Sequence, residues 1–415
     1  MSIKDDTFCP LPWLHLGTHP HGGVTPCCIS DMTAGKNRAR NYGKERDEFF
    51  NLNDHNIETH MNSDYFKEIR KEMLNDLEPK ACKRCYDEER KGIKSKRVHE
   101  SEVYKDFNPD YASRLTGKDG SIPMDLRFVE LRLGNVCNVR CRTCNPASSS
   151  RWVADYKKIV DSLEFVNDGY SWLDHKHDFQ WPEDENFYED LFKCAPNLEV
   201  LYINGGEPTL IKAHWKFLEM LVESERSKNI ILWYNINMTQ VPDKAIPLWK
   251  EFKEARVCPS IDDLDHRNKF IRYPTEWSDV EQNLEKIMQV PELNVRITQT
   301  VSAYSYIYLD EFLNWAPVPV DMNFVYDPDY LSPAILPPVV RRHAHDKFRK
   351  TMGNRHELGT LLSMFNNDEW DETKWEHFCR YNDELDKIRG HEEGWREVFP
   401  ELISLCEQHG IQHKY

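Results

Sequence analysis

Six short runs rich in β-branched and aromatic residues punctuate the chain between about residues 125 and 325: DLRFVELRL, NLEVLYING, NIILWYNIN, ARVCPSID, NVRITQTVS and MNFVYD. Their apolar positions recur with the period of two that marks strands. The intervening segments change period. SDVEQNLEKIMQV places Val280, Leu284, Ile287 and Met288 on one helical face, with Ser278 as its expected N-cap, and AHWKFLEMLVESER has the same amphipathic spacing. Strands that alternate with helices through long crossovers predict a parallel α/β sheet or a partial barrel over residues 125–326, with ligands bound at the carboxyl ends of the strands.

Outside this region the pattern changes. Residues 1–100 hold few strand patterns and one set of cysteines, and the charged stretch across 101–124 reads as a linker or connecting helix. After the last strand, six prolines between Pro317 and Pro338 end the alternation, and residues 327–415 read as a proline-rich connection followed by helices such as TKWEHFCRYNDELDKIRG. No short-period repeat or low-complexity tract is visible.

Composition narrows the function classes. The chain has 415 residues, long enough for two or three domains. With 40% hydrophobic and 30% charged residues and a mean hydropathy of -0.72, it fits a soluble protein. No apolar run approaches the ~20 residues of a membrane helix, and the N-terminus lacks a signal-peptide core, so the expected location is the cytoplasm, with no membrane partner. A formal net charge of -16 argues against nucleic acid, whose binding needs cationic neutralisation of phosphates.

Twelve cysteines in such a chain are expected to be free rather than disulfide-bonded. Cys9, Cys27, Cys28, Cys82 and Cys85 form one set and Cys137, Cys141 and Cys144 a second; Cys194, Cys258, Cys379 and Cys406 stand alone and read as small core residues. Short spacings of this kind point to metal ligation. A structural zinc site at the second set would need a fourth ligand, and the nearest later histidines are His175 and His177. Three thiols in CNVRCRTC, after the first strand of an α/β barrel, suit a four-iron, four-sulfur cluster with one iron left open.

That Cys-x3-Cys-x2-Cys spacing resembles the radical S-adenosylmethionine (SAM) enzymes, and the later strand ends extend the resemblance. NGGEPTL after the second strand is similar to the family's Gly-Gly-Glu segment, which implies that Gly205, Gly206 and Glu207 contact the amino group of SAM. YNINMT resembles its ribose-side segment, with Asn237 and Thr239 matching and Met238 where glycine is usual. PSIDDLDHRNKFIR resembles its Ser-Ile-Asp-Gly segment through Ser260 and Asp262, with Arg272 a candidate partner for the SAM carboxylate. Thr143 departs from the family, which often has an aromatic residue there near the adenine; the fifth-strand end QTVSAYS is an alternative adenine contact.

In the first set, Cys9, Cys27, Cys82 and Cys85, with Gly22 in the intervening turn, match a closed site for a second iron–sulfur cluster or equally for zinc. The spacing resembles the auxiliary-cluster modules called SPASM and twitch domains, twitch-like here because one such cluster can be built. Cys28 is either a substitute ligand or a buried neighbour of the favoured Cys27. His15, His19 and His21 read as polar loop residues. The module precedes the barrel, whereas in the family it usually follows.

The resemblance implies an enzyme with two 4Fe–4S clusters and SAM, in which reductive cleavage of SAM gives a 5'-deoxyadenosyl radical that abstracts hydrogen from substrate. It implies an external electron donor such as flavodoxin or ferredoxin and requires no catalytic side chains beyond the cofactor site. The substrate expected first is a peptide or protein, and second a carbohydrate, nucleotide or other small molecule. A non-catalytic metal-binding or electron-transfer protein is the reading from another class. The basic run RRHAHDKFRK, Arg341 to Lys350, is either a receptor for an acidic leader peptide or the solvated face of a helix.

Overall fold

The computed structural model describes residues 7–30, 38–44, 46–167, 169 and 179–415. The expectations that touch His175 and His177 lie outside these residues. The chain divides into two compact units: Met1–Asn135, His175–Tyr234 and Lys244–Ala255 form one, and Val136–Asp174, Asn235–Asp243 and Arg256–Tyr415 the other.

In the first unit, strand Phe128–Leu133 pairs in parallel with Val200–Gly205, from Phe128 opposite Val200 to Leu133 opposite Gly205. Val200–Gly205 pairs in the same sense with Ile231–Ile236. The pleat sorts the side chains. Val129, Leu131, Leu133, Leu201, Ile203, Leu232 and Tyr234 are fully buried on one face. Glu130, Arg132, Tyr202, Asn204 and Trp233 alternate with them on the other. Helices Glu185–Cys194 and Lys212–Glu223 supply the crossovers, each with an apolar stripe.

The N-terminal segment contributes a strand that its sequence does not advertise. His15–Thr18 lies parallel to Phe128–Leu133, with His15 opposite Phe128, and antiparallel to Val24–Thr25. All four of its residues are buried, so no alternation of polarity marks it. The stretch expected as a linker or connecting helix carries helices Lys96–Val103 and Pro109–Leu115.

In the second unit, Ile297–Val301 pairs in parallel with Val320–Phe324 through five residues, and Ser260 bridges Thr298 in the same sense. Helices Asp265–Ile271, Trp277–Met288 and Leu309–Trp315 alternate with these strands. Helices Pro338–Thr351, Glu372–Arg389 and Pro400–Gln408 make the helical C-terminal region. The expected helix over SDVEQNLEKIMQV begins at Trp277, so Ser278 lies inside the first turn and Glu276 takes the N-cap position. Val280, Leu284 and Ile287 are buried as expected, whereas Met288 is exposed.

All six strand-like runs are strands, alternating with helices. Among the described residues no strand pairing closes a sheet on itself, as a partial (β/α) barrel requires. No described helix is long and apolar enough to cross a membrane.

Candidate metal and cofactor site

The chain leaves strand Phe128–Leu133 into the loop that carries the second thiol set. Cys137 and Cys141 are buried with Val139 in one small cluster, and Cys144 packs against it. Backbone bonds hold the loop on both sides. The Cys144 amide donates to the Cys141 carbonyl at 3.0 Å; those of Arg140 and Arg142 donate to the carbonyls of Tyr273 and Ile271, each at 2.7 Å. Trp152 Nε1 donates to the Cys141 carbonyl at 2.7 Å, and Ser149 Oγ to that of Val139 at 2.6 Å.

While the cysteines point inward, the intervening arginines anchor the loop to helix Glu372–Arg389. Arg142 is fully buried. Its Nη1 donates to Asn382 Oδ1 at 2.8 Å, its Nε to the Phe270 carbonyl at 3.3 Å and its Nη2 to Asp386, and the guanidinium lies over the Phe270 ring. Arg140 and Arg389 share Asp155, at 2.7 and 2.9 Å.

Two strand-end residues expected at the cofactor, Asn237 and Thr239, meet the thiol loop at Asn138. Asn237 Nδ2 donates to Asn138 Oδ1 at 2.7 Å, Asn138 Nδ2 to Thr239 Oγ1 at 2.8 Å, and Thr239 Oγ1 to Asn237 Oδ1 at 2.7 Å, a closed ring. Asn138, between two of the cysteines, was not singled out in the sequence; its place inside the motif was the available signal. Met238 has φ +62°, in the left-handed region that favours glycine, and its carbonyl accepts from Asn283 Nδ2 at 2.9 Å.

Arg272 is buried beside Cys141 and Cys137, with Nη1 donating to Asp262 Oδ2 at 3.0 Å and Nε lacking a partner. Burial works against its charge, but the Cys141 thiol and the Asp262 carboxylate outweigh that cost and raise its pKa. Asp262 is spent on this brace. Its Oδ1 accepts from the Thr300 amide at 2.8 Å and its carbonyl from Gln299 Nε2 at 3.1 Å. Ser260 is held by backbone alone, its amide donating to the Ile236 carbonyl at 2.8 Å.

In the first unit, Gly205 has φ +123°, and a Cβ there would stand 2.3 Å from the Leu133 amide nitrogen. The Gly206 amide donates to the Gly134 carbonyl at 3.1 Å. Glu207 is buried, and its Oε1 accepts from the Thr209 amide at 3.2 Å and from Thr209 Oγ1 at 2.6 Å.

The first thiol set lies in the same unit. Cys9 interacts with Cys85, Cys27 with Cys28, Cys9 and Cys85, and Cys82 with Cys27, Cys9 and Cys85. Burial pushes the Cys9 thiol up to about 12 and those of Cys27 and Cys82 up as well, reinforced by the neighbouring thiols. Cys28 faces elsewhere, bonded to Glu130 and near Lys96 and Arg132. Gly22 turns the chain between His15–Thr18 and Val24–Thr25 at φ +86°, where a Cβ would stand 2.5 Å from Asn51 Oδ1. His15 lies in strand His15–Thr18 rather than in a loop; it is buried, its Nδ1 stands 3.0 Å from the Pro26 carbonyl, and burial takes it down to about 4.

Among the described residues no three His, Cys, Asp or Glu side chains are already gathered tightly enough to grip an ion. The donor sets nevertheless suit iron–sulfur clusters: three buried thiols beside an arginine in one unit, and four mutually interacting thiols in the other.

Residues 9–86 match the family described as SPASM, an iron–sulfur cluster-binding domain. A GTP 3',8-cyclase of Haemophilus ducreyi is 25% identical over 205 residues, covering 48% of this chain and 52% of that protein. One of Pasteurella multocida is 25% identical over 202 residues, with the same two coverages. The chain thus spans about half the length of these curated relatives. Among solved structures, Streptococcus suis SuiB is 14% identical with a TM-score of 0.35, covering 76% of this chain and 72% of that one. The anSMEcpe structure with bound AdoMet is 16% identical with a TM-score of 0.35, covering 54% and 59%. The SPASM match over residues 9–86, the thiol spacing and the GTP 3',8-cyclase relatives support a radical SAM enzyme with an auxiliary SPASM/twitch segment, iron–sulfur clusters and SAM.

Proposed function

We propose that the protein binds SAM at Cys137, Cys141 and Cys144, cleaves it reductively to a 5'-deoxyadenosyl radical and abstracts hydrogen from a peptide or protein substrate. The observation that carries this reading is Arg272: a buried guanidinium, braced by Asp262 beside two of the thiols, with Nε left without a partner. Such a group supports a role for Arg272 as partner of the SAM carboxylate. The motif resemblance assigns Gly205, Gly206 and Glu207 to the amino group of SAM, and Asn237, Thr239 and Ser260 to its nucleoside side. When bound, the three-thiol cluster supplies the electron that breaks the sulfonium bond. The chain's own work is to hold SAM in one orientation, fix the thiol loop and keep solvent away.

The auxiliary set of Cys9, Cys27, Cys82 and Cys85 supports a substrate whose radical gives up an electron, as peptide-modifying members of the family do. Flavodoxin or ferredoxin in the cytoplasm would supply the first electron, and neither nucleic acid nor membrane takes part. Nucleotide or other small-molecule chemistry is the second reading, favoured by the GTP 3',8-cyclase relatives.

Anaerobic reconstitution followed by iron and sulfide counting and a 5'-deoxyadenosine assay with dithionite and SAM tests the proposal. About eight irons per chain are expected, with nucleoside formed by the wild type but not by Cys141→Ala. Stoichiometric zinc without iron or nucleoside would refute it in favour of a metal-stabilised binding protein.

A further inference from the structure

Most charges of the basic run Arg341–Lys350 already have partners, which favours the reading of this run as the face of a helix. Arg341 is buried, with Nε on the Leu336 carbonyl at 3.0 Å and Nη1 on the Phe365 carbonyl and Asn367 Oδ1, both at 3.0 Å. Lys347 meets Asp310, Glu311 and Glu401, Arg349 meets Asp346, and Arg342 meets Asp368. The neighbouring surface has the opposite charge.

The proline-rich connection and the segment leading into helix Glu372–Arg389 line an open surface cavity of about 580 Å³ within the second unit. Tyr326, Phe365 and Trp370 supply aromatic walls, and four carboxylates line it against two cations, Arg341 and Lys374. Arg341 is turned toward carbonyls, as above. Lys374 lies between Asp329 and Asp371, at 3.0 and 3.7 Å, so one ammonium already sits on this rim. Glu369 and Glu372 form no salt bridge among the described residues. Trp370 is fixed by its Nε1 bond to the Ile335 carbonyl at 2.9 Å, whereas Tyr326, 69% exposed, stands open at the end of the last strand's connection.

Aromatic faces beside unpaired carboxylates select a cation and repel phosphate. A guanidinium fits better than an ammonium, because it is planar, weakly hydrated, stacks on rings and bonds carboxylates through two parallel N–H groups. We propose that this cavity receives an arginine side chain of the peptide substrate, with the guanidinium against Tyr326 and Trp370 and neutralised by Glu369 and Glu372. The proposal rests on the peptide reading of the preceding section and narrows it to arginine-bearing sequences.

Calorimetric titration of the reconstituted enzyme with acetyl-Gly-Gly-Arg-Gly-Gly-amide, and with the same peptide carrying citrulline, a neutral isostere of arginine, tests it. The arginine peptide should bind about tenfold more tightly than the citrulline peptide, the scale of one charge-assisted bond with a ring contact. The Glu369→Gln/Glu372→Gln variant should bring the ratio near one, and Tyr326→Ala should weaken the arginine peptide by about threefold. Both sites are exposed, so neither variant should threaten folding. Equal binding of the two peptides by the wild type, no binding of either at millimolar concentration, or a ratio unchanged in the double variant would overturn the proposal. The 5'-deoxyadenosine assay on the same sample separates the two readings: nucleoside without arginine discrimination removes the pocket alone, and discrimination without nucleoside removes the catalytic reading alone.

Discussion

Replacing Arg142 by methionine should loosen the thiol loop from helix Glu372–Arg389. The side chain is fully buried and satisfies three acceptors: Asn382 Oδ1, the Phe270 carbonyl and Asp386. Methionine fills the stem's volume but leaves Asp386 with the Trp395 amide, at 2.7 Å, as its remaining strong donor. Breaking a buried pair from one side costs about 3–5 kcal/mol, most of it the stranded partner. Burial already pushes Asp386 above the usual carboxylate range, and Arg142 is what pulls it back toward ionisation. Neutralising the partner should therefore rescue much of the loss: in the Arg142→Met/Asp386→Asn double variant, where asparagine can still accept from Trp395, the coupling should be about 2 kcal/mol. Anaerobic urea unfolding of the wild type, the two single variants and the double gives the cycle, and iron retained after chelator challenge reports the loop directly. A single-variant cost below about 1 kcal/mol, or strictly additive losses, would refute the clamp.

Gly205→Ala should destabilise by about 2–4 kcal/mol, read from the urea midpoint, because its Cβ meets backbone at a positive φ. Thr239→Val, which opens the Asn138–Thr239–Asn237 ring, should leave the fold intact yet speed iron loss to a chelator severalfold; unchanged kinetics would deny the ring a part in holding the loop. Cys27→Ser should lower iron by about four per chain while Cys28→Ser keeps it; the reverse pattern would exchange their roles. His214 is buried and held down to about 3 by burial, so its neutral form is favoured in the fold: its contribution is whole above the unfolded value near 6.5 and lost as pH falls toward 3. Between pH 7.5 and 5 this one residue should cost about 2 kcal/mol. His214→Asn, whose amide nitrogen can replace the Nδ1 bond to the Ile211 carbonyl, should flatten the pH dependence of stability by that amount.

The strands were legible because period-two alternation survives wherever a sheet face is half-buried, as Arg132 and Tyr202 show between fully buried neighbours. His15–Thr18 was not, because a strand buried throughout carries no alternation, and its Gly17 and His15 have weak strand preference. Cysteine spacing marked both thiol sets, since ligand chemistry is local. The brace between Asp262 and Arg272 was half legible: both residues drew attention as cofactor contacts, but that one spends its charge on the other is a tertiary fact. The same holds for Arg341, a charge in the sequence and a carbonyl tie in the fold. Met238 stands where the family usually has glycine, but its left-handed backbone is visible in the fold alone.

The pairing of His15–Thr18 with Phe128–Leu133 has a consequence for anyone who would dissect the protein. The two strands are separated by more than a hundred residues of chain, yet they are hydrogen-bonded neighbours. Removing the first hundred residues as a detachable module would strip the six-residue strand Phe128–Leu133, apolar on one face, of a partner, creating an unguarded edge of the kind that recruits other chains. A truncated core should therefore precipitate before it can be tested. During biosynthesis the N-terminal strand emerges long before its partner, so the closing of this contact is a late, non-local event.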